Sequence, residues 1–243
     1  MALVLMNGLR GGVGTTTLAA NLAAILANLG HPSAVLAFSS RSPLGLHFGL
    51  DPFQPLAGFA APAAATGPIN GVRLLDLSEQ VESGDLAEGL ASGDFSFAGD
   101  VIYIADLSEA PTGVAVQLRR YADLELWVLA PSAECLYTLP AALEALPSEA
   151  GFVLNRCDDT KRLGRHAASF ARALLGDRIV ATVQADEAVC EAAAMMQPLA
   201  RHAPGSAALS DLARLASHLA SASARSRNAG FAVDTAASQS NAA

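Results

Sequence analysis

The sequence predicts an α/β protein, a doubly wound, mostly parallel sheet with helices on both faces. Three observations predict it. Short apolar runs without alternation, such as residues 2–6 (Ala-Leu-Val-Leu-Met), recur along the chain and suit strands buried on both faces. Between them lie Ala- and Leu-rich stretches of helical length. A glycine-rich turn joins the first strand to the first helix, and strand, turn, helix and strand follow within about 40 residues, which is a βαβ unit.

In chain order, the first strand leads into the turn Gly8 to Gly14, then a helix from Thr16 to Leu29 stopped by Gly30 and Pro32, then a strand from Ser33 to Phe38. Further strands are expected at 72–77, 101–106, 124–130, 151–155 and 179–183. Helices are expected at about 112–121, 134–146, 161–175, 186–196 and 206–222. Alternation of this kind is the pattern of a doubly wound sheet. Pro52 to Gly71 is uncharged, carries four prolines and reads as a long loop with room for a helical turn. Beyond Ala224 the chain turns to Ser, Ala, Asn and Gln without periodicity. The expectation is one domain over 1–224 and a disordered tail over 225–243.

The chain has 243 residues, 52% hydrophobic and 16% charged, which is the opposite of a disordered composition. Its net charge is −8, and its 15 basic residues are 14 arginines and a single lysine, Lys161. No basic run exists to neutralise phosphates, so no nucleic-acid partner is expected. Cys135, Cys157 and Cys190 are odd in number and form no CxxC pair, so a reduced, cytoplasmic setting is expected. The start of the chain lacks the basic region of a signal peptide. Gly11 to Ser40 is free of formal charge, but Asn21, Asn28 and Gly30-His31-Pro32 interrupt it below the about 20 apolar residues of a membrane span. It reads as a buried helix, and no direct membrane insertion is expected.

Asn7-Gly8-Leu9-Arg10-Gly11-Gly12-Val13-Gly14-Thr15-Thr16-Thr17 carries most of the functional information. Glycines between a strand and a helix let backbone N–H groups turn inward around a phosphate at the positive end of the helix dipole. Three readings compete for this loop. A mere packing turn does not explain so many small residues at this place in the fold. A dinucleotide site needs G-x-G-x-x-G, but Thr17 stands where the third glycine would be, and no acidic residue ends the second strand. A P-loop, G-x-x-x-x-G-K-[ST], fits with Gly14 as its last glycine, Thr15 in the lysine position and Thr16 as the magnesium-binding hydroxyl.

These residues resemble the deviant-Walker ATPases of the ParA/MinD family, whose loop reads K-G-G-x-G-K-[ST]. Within that family they resemble the cellulose-biosynthesis branch, in which Arg-Gly-Gly-Val-Gly-Thr-Thr replaces the usual loop, as Arg10 to Thr16 does here. The resemblance implies a P-loop NTPase fold that binds ATP and Mg²⁺ through Arg10, Gly11, Gly12, Val13, Gly14, Thr15, Thr16 and Thr17. It implies metal coordination by Thr16 and by Asp106, which closes the strand Val101-Ile102-Tyr103-Ile104-Ala105. Asn155 and Arg156, at the end of Val153-Leu154, match the strand end that reads the adenine, and Arg10 matches the lysine that crosses to the partner's phosphates in an ATP-dependent homodimer. The late segment Asp186-Glu187-Ala188-Val189 with Gln197-Pro198 also resembles the family, whereas residues 50–100 do not.

Two departures bear on turnover. The family places an aspartate after the second strand to position the attacking water, and here Ser39 or Ser40 stands there. A missing water-positioning group costs about 10²–10⁴ in rate. Loss of the loop lysine removes about 1.5–3 kcal/mol of charge-assisted bonding. The resulting expectation is an ATP-binding, nucleotide-switched dimer with weak or no hydrolysis. It would support a cellulose synthase or secretion complex from the cytoplasm, recruited to the inner membrane or cell pole through partners. The alternative is an active ATPase that positions a plasmid, division site, pilus or flagellum. The low basic content disfavours the plasmid role, and the tail from Ser221, with only Arg225 and Arg227, disfavours membrane docking.

Overall fold

The computed structural model describes residues 2–59 and 67–240. Its eight strands are β1 (Ala2–Gly8), β2 (Ser33–Ala37), β3 (Ala57–Gly58), β4 (Val72–Asp76), β5 (Ile102–Asp106), β6 (Leu124–Leu129), β7 (Gly151–Cys157) and β8 (Ile179–Gln184). They form one sheet in the order β3-β4-β2-β5-β1-β6-β7-β8, and every pairing between them is parallel. Strand order reverses at β1, which lies between β5 and β6. A crevice therefore opens at the carboxyl ends of these strands, where open α/β sheets bind ligands.

The helices are α1 (Thr15–Asn28), α2 (Ser78–Glu82), α3 (Leu86–Ser92), α4 (Val114–Arg119), α5 (Ala133–Ala145), α6 (Arg162–Leu175), α7 (Glu187–Ala194), α8 (Leu199–His202) and α9 (Ala207–Ser240), with a 3-10 turn at Pro43–Phe48. Alternation along β1 divides the core between the two faces. Val4 and Met6 belong to a cluster with α1 and α9, while Leu3 and Leu5 join α3 and α4. The α1 helix has eleven buried residues, which is why it carries no charge. Its buried asparagine, Asn21, is satisfied: Nδ2 donates to the Thr17 carbonyl at 2.8 Å and Oδ1 accepts from the Leu199 N–H at 3.2 Å. No helix among the described residues is long and apolar enough to cross a membrane.

Two stretches differ from expectation. The proline-rich region places Ala57–Gly58 on the sheet edge as β3, and α2 and α3 follow β4 where no helix is expected. These helices are five and seven residues long, too short for hydrophobic periodicity to mark them. The last helix runs on to Ser240, through most of the stretch expected as a disordered tail, and residues 241–243 lie outside the described part. Alanine, the strongest helix former, recurs in this stretch without an apolar stripe.

Candidate functional site

The β1–α1 loop lies at the crevice. Gly12 and Gly14 adopt left-handed backbone, at φ +76° and +93°, which side-chain-bearing residues rarely adopt. Gly14 caps α1, and its carbonyl accepts the N–H of Leu18 at 3.0 Å. Gly11 is different: its φ is not positive, and a Cβ placed on it meets nothing within 4 Å. The fold itself gives Gly11 no steric reason to be glycine.

Thr15 is buried, and its Oγ1 lies 2.8 Å from where a Gly8 Cβ would stand. That hydroxyl has no hydrogen-bond partner among the described residues, a state that costs about 1–3 kcal/mol. Val13 is buried in the core, so its part in the loop is played by its backbone. Thr17 lies one turn along α1, its Oγ1 3.5 Å from Nε2 of His47, whose pKa burial lowers.

Behind the loop, the register pairs Met6 of β1 with Asp106 of β5. Asp106 is 3% exposed, and its carboxyl accepts the Ser108 N–H at 3.2 Å. Burial pushes its pKa up, while hydrogen bonds from Thr16 and Ser108 pull it down. Thr16 Oγ1 and Ser108 Oγ lie 2.9 Å apart. Two hydroxyls and one buried carboxylate thus meet at the first turn of α1. Among the described residues no cluster of three or more His, Cys, Asp or Glu could hold a metal. This donor set suits Mg²⁺, which binds through one or two protein oxygens and takes the rest from phosphates and water. Ser108 is absent from the sequence-based set, although Asp-x-Ser at a strand end is a visible signal for it.

On the other side of the loop, β7 pairs with β8 in an irregular register: Leu154 aligns with Thr182 and Cys157 with Gln184, so three steps face two. That bulge turns Asn155 and Arg156 toward the loop. Asn155 is buried, and its Nδ2 donates to the Val13 carbonyl at 2.8 Å. Arg156 adopts φ +57°, and its Nη2 lies 3.7 Å from a Cβ built on Gly14. Both residues line a cavity of about 660 Å³ with Gly14, Thr17, Asp186 and Cys190, large enough for a nucleoside. Asp186 ties its far wall together, accepting from Ala188 N at 3.0 Å at the start of α7 and from Ser206 Oγ at 2.6 Å just before α9.

A model of the family described as cellulose biosynthesis protein BcsQ matches residues 1–75 and 95–219. The chain belongs to the BcsQ family. No curated protein matches its sequence. Its fold is that of the ParA/MinD P-loop ATPases. A ParA family ATPase from Chlorobium tepidum superposes with a TM-score of 0.66 at 19% identity, over 90% of this chain and 98% of that one. The septum site-determining protein MinD from Pyrococcus horikoshii, solved with Mg-ADP, gives 0.62 at 18% identity over 89% and 96%. An McdA–ATP complex from Cyanothece gives 0.63 at 17% over 91% and 96%.

In this BcsQ-family chain two serines, Ser39 and Ser40, stand just beyond β2. Ser39 Oγ accepts the Arg41 N–H at 3.2 Å, and Ser40 is exposed. Both line a second cavity of about 650 Å³ whose carboxylates are Asp51 and Asp76. Each of these is engaged locally, Asp51 by the Phe53 N–H and Asp76 by the Ser78 N–H. Arg10 is exposed at the tip of the loop, in the field of Glu134 at the start of α5.

Proposed function

We propose that this chain is an ATP–Mg²⁺-binding switch that dimerises around nucleotide, hydrolyses it slowly or not at all, and supports a bacterial cellulose biosynthesis or secretion complex from the cytoplasm. The observation that carries the reading is the meeting of Thr16, Ser108 and the buried Asp106 carboxylate at the first turn of α1, directly after the open backbone of Gly11 and Gly12. Arg10 to Thr15 would cradle the phosphates with backbone N–H groups at the positive end of α1. Thr16 and Asp106 would hold Mg²⁺, which neutralises charge on the β- and γ-phosphates. The base would enter the cavity beside Asn155 and Arg156.

The family name supports the cellulose assignment, and the nucleotides in the MinD and McdA structures support the choice of ligand. Slow turnover follows from Thr15 in place of a charge-balancing lysine and from Ser39 and Ser40 where a carboxylate would orient water. Arg10, always charged and able to bind phosphate bidentately, supplies the bridge to a second copy. Calorimetry tests the nucleotide half of the reading. With Mg²⁺ the chain is expected to give binding heat with both ATP and ADP, and with ATP the heat should fall when Mg²⁺ is chelated. No heat with either nucleotide at millimolar concentration would reduce the chain to a nucleotide-free scaffold.

A further inference from the structure

Two basic residues line the cavity beside β7, Lys161 and Arg156, and they differ in one respect. Lys161 is paired with Asp158 at 3.1 Å, whereas among the described residues no ion pair involves Arg156. Of the other carboxylates on the cavity wall, Asp186 is engaged by Ser206 and by the Ala188 N–H, and Glu187 lies in the first turn of α7. The backbone of Arg156 is left-handed at φ +57° inside a strand, a conformation that residues other than glycine rarely take. It carries the guanidinium over the start of α1. A Cβ built on Gly14 stands 3.7 Å from Nη2 and 3.9 Å from Nε, so the Nε–Nη2 edge is the part nearest the N-cap of that helix. This edge holds two parallel N–H donors, the pair that takes two oxygens of one phosphate. A guanidinium over the positive end of a helix, without a carboxylate paired to it, gathers two positive features in one place. Charge disfavours that arrangement until an anion lies between them.

We propose that Arg156 binds the phosphate nearest the nucleoside, supplying from β7 part of the charge that Thr15 does not supply from the loop. This inference rests on the nucleotide reading above. In a P-loop, backbone N–H groups cradle the phosphates and the lysine reaches the β- and γ-phosphates. Arg156 is placed differently. It lines the base cavity together with Gly14, the residue just before Thr15, so its guanidinium lies where the loop meets that cavity. A nucleotide with its base in the cavity and its outer phosphates in the loop passes its α-phosphate through this point. The exchange has a consequence for the switch. The α-phosphate is common to ATP, ADP and AMP, so Arg156 raises affinity for all three without telling them apart. Discrimination between ATP and ADP falls instead to groups that reach the γ-phosphate, Arg10 among them.

Equilibrium binding to the full-length chain, read by competition against a fluorescent ATP analogue in Mg²⁺, tests this. Arg156→Gln is expected to weaken ATP, ADP and AMP by a similar factor, about tenfold or more, as for loss of a charge-assisted bond. Arg156→Lys keeps the charge without the fork, and its affinities should fall between those of the parent and Arg156→Gln. The preference for ATP over GTP should be the same in all three proteins, because the guanidinium does not read the base. Arg156 is exposed, so both variants should fold and melt like the parent. Unchanged affinities in Arg156→Gln would overturn this inference alone. So would a collapse of the preference for ATP over GTP, which puts the guanidinium on the base, or a loss confined to ATP, which puts it at the γ-phosphate. A parent chain that binds no nucleotide would remove the reading beneath it as well.

Discussion

The side-chain amide of Asn155 donates to the backbone carbonyl of Val13 across 2.8 Å and 142 residues of sequence. This bond fastens the end of β7 to the middle of the β1–α1 loop, and it explains why Gly14 must be glycine twice over. Its backbone is left-handed at φ +93°, and a Cβ there would stand 2.6 Å from that same amide nitrogen. The β1–α1 loop and the cavity beside β7 are therefore tied together in the ligand-free chain, which under the proposed reading lowers the ordering cost of nucleotide binding.

Gly11 and Gly14 should separate folding from binding. Gly14→Val breaks the Asn155 bond and strains the backbone, so it should lower Tm as well as abolish nucleotide binding. Gly11→Val projects into open space, so its stability should stay within about 0.5 kcal/mol of the parent. It should still lose nucleotide binding, because its side chain fills the phosphate cradle. Calorimetry paired with thermal melts reads both; ATP binding retained in Gly11→Val would place the phosphates elsewhere.

Cys190 reports on the base cavity. Cys135 and Cys157 are buried, and burial raises the Cys157 thiol to about 11, whereas Cys190 is exposed on the cavity wall. Alkylation of the native protein by a maleimide should therefore occur at Cys190 first. Saturating Mg-ATP should slow it several-fold, and peptide mapping identifies the site. Unchanged labelling would put the base outside this cavity.

Much of this was legible in the sequence, and the exceptions have physical reasons. β1, α1, β2 and β5 announce themselves because they are buried and mostly apolar, and β6 to β8 because apolar residues dominate them even where, as in β8, they are only half-buried. The loop announces itself because its glycines answer to backbone geometry. Ser108 is marked only by Asp-x-Ser at the end of β5, and its contact with Thr16, 92 residues distant, is not encoded locally. The inward turn of Asn155 depends on the β7 bulge, and no local pattern encodes the register of β7 against β8.

The charge on Asp106 should be a liability in the ligand-free protein. Its carboxyl is raised by burial, so the folded state favours the protonated form, and stability falls as pH rises through the raised value. Asp106→Asn should therefore raise Tm at pH 7, with the gain shrinking as pH drops toward the ordinary carboxylate range. The same variant should lose the Mg²⁺ dependence of nucleotide binding. Fluorimetric melts from pH 4 to pH 8 read the first effect; a lower Tm at pH 7 would show that the carboxylate is compensated without metal.

Restoring the lysine should repair binding without repairing chemistry. Thr15→Lys adds a cation beside the phosphates and should tighten ATP binding by about tenfold or more, given about 1.5–3 kcal/mol for a charge-assisted bond. Turnover should stay low, because Ser39 and Ser40 still offer the water no carboxylate. Adding Ser39→Asp should raise the rate, and the two changes need not combine additively, since both act on the γ-phosphate. Steady-state phosphate release by the three proteins decides this; fast turnover by Thr15→Lys alone would show that water positioning is supplied elsewhere.

The central claim is a dimer closed around ATP that survives. Size-exclusion chromatography with light scattering, in Mg-ATP, with the nucleotide in the peak identified by chromatography, measures both halves at once. The account predicts a peak at twice the 24.8 kDa chain mass carrying intact ATP, and a monomer peak for Arg10→Ala that still holds nucleotide. A monomer in Mg-ATP, or a dimer found with ADP after minutes of incubation, would contradict it.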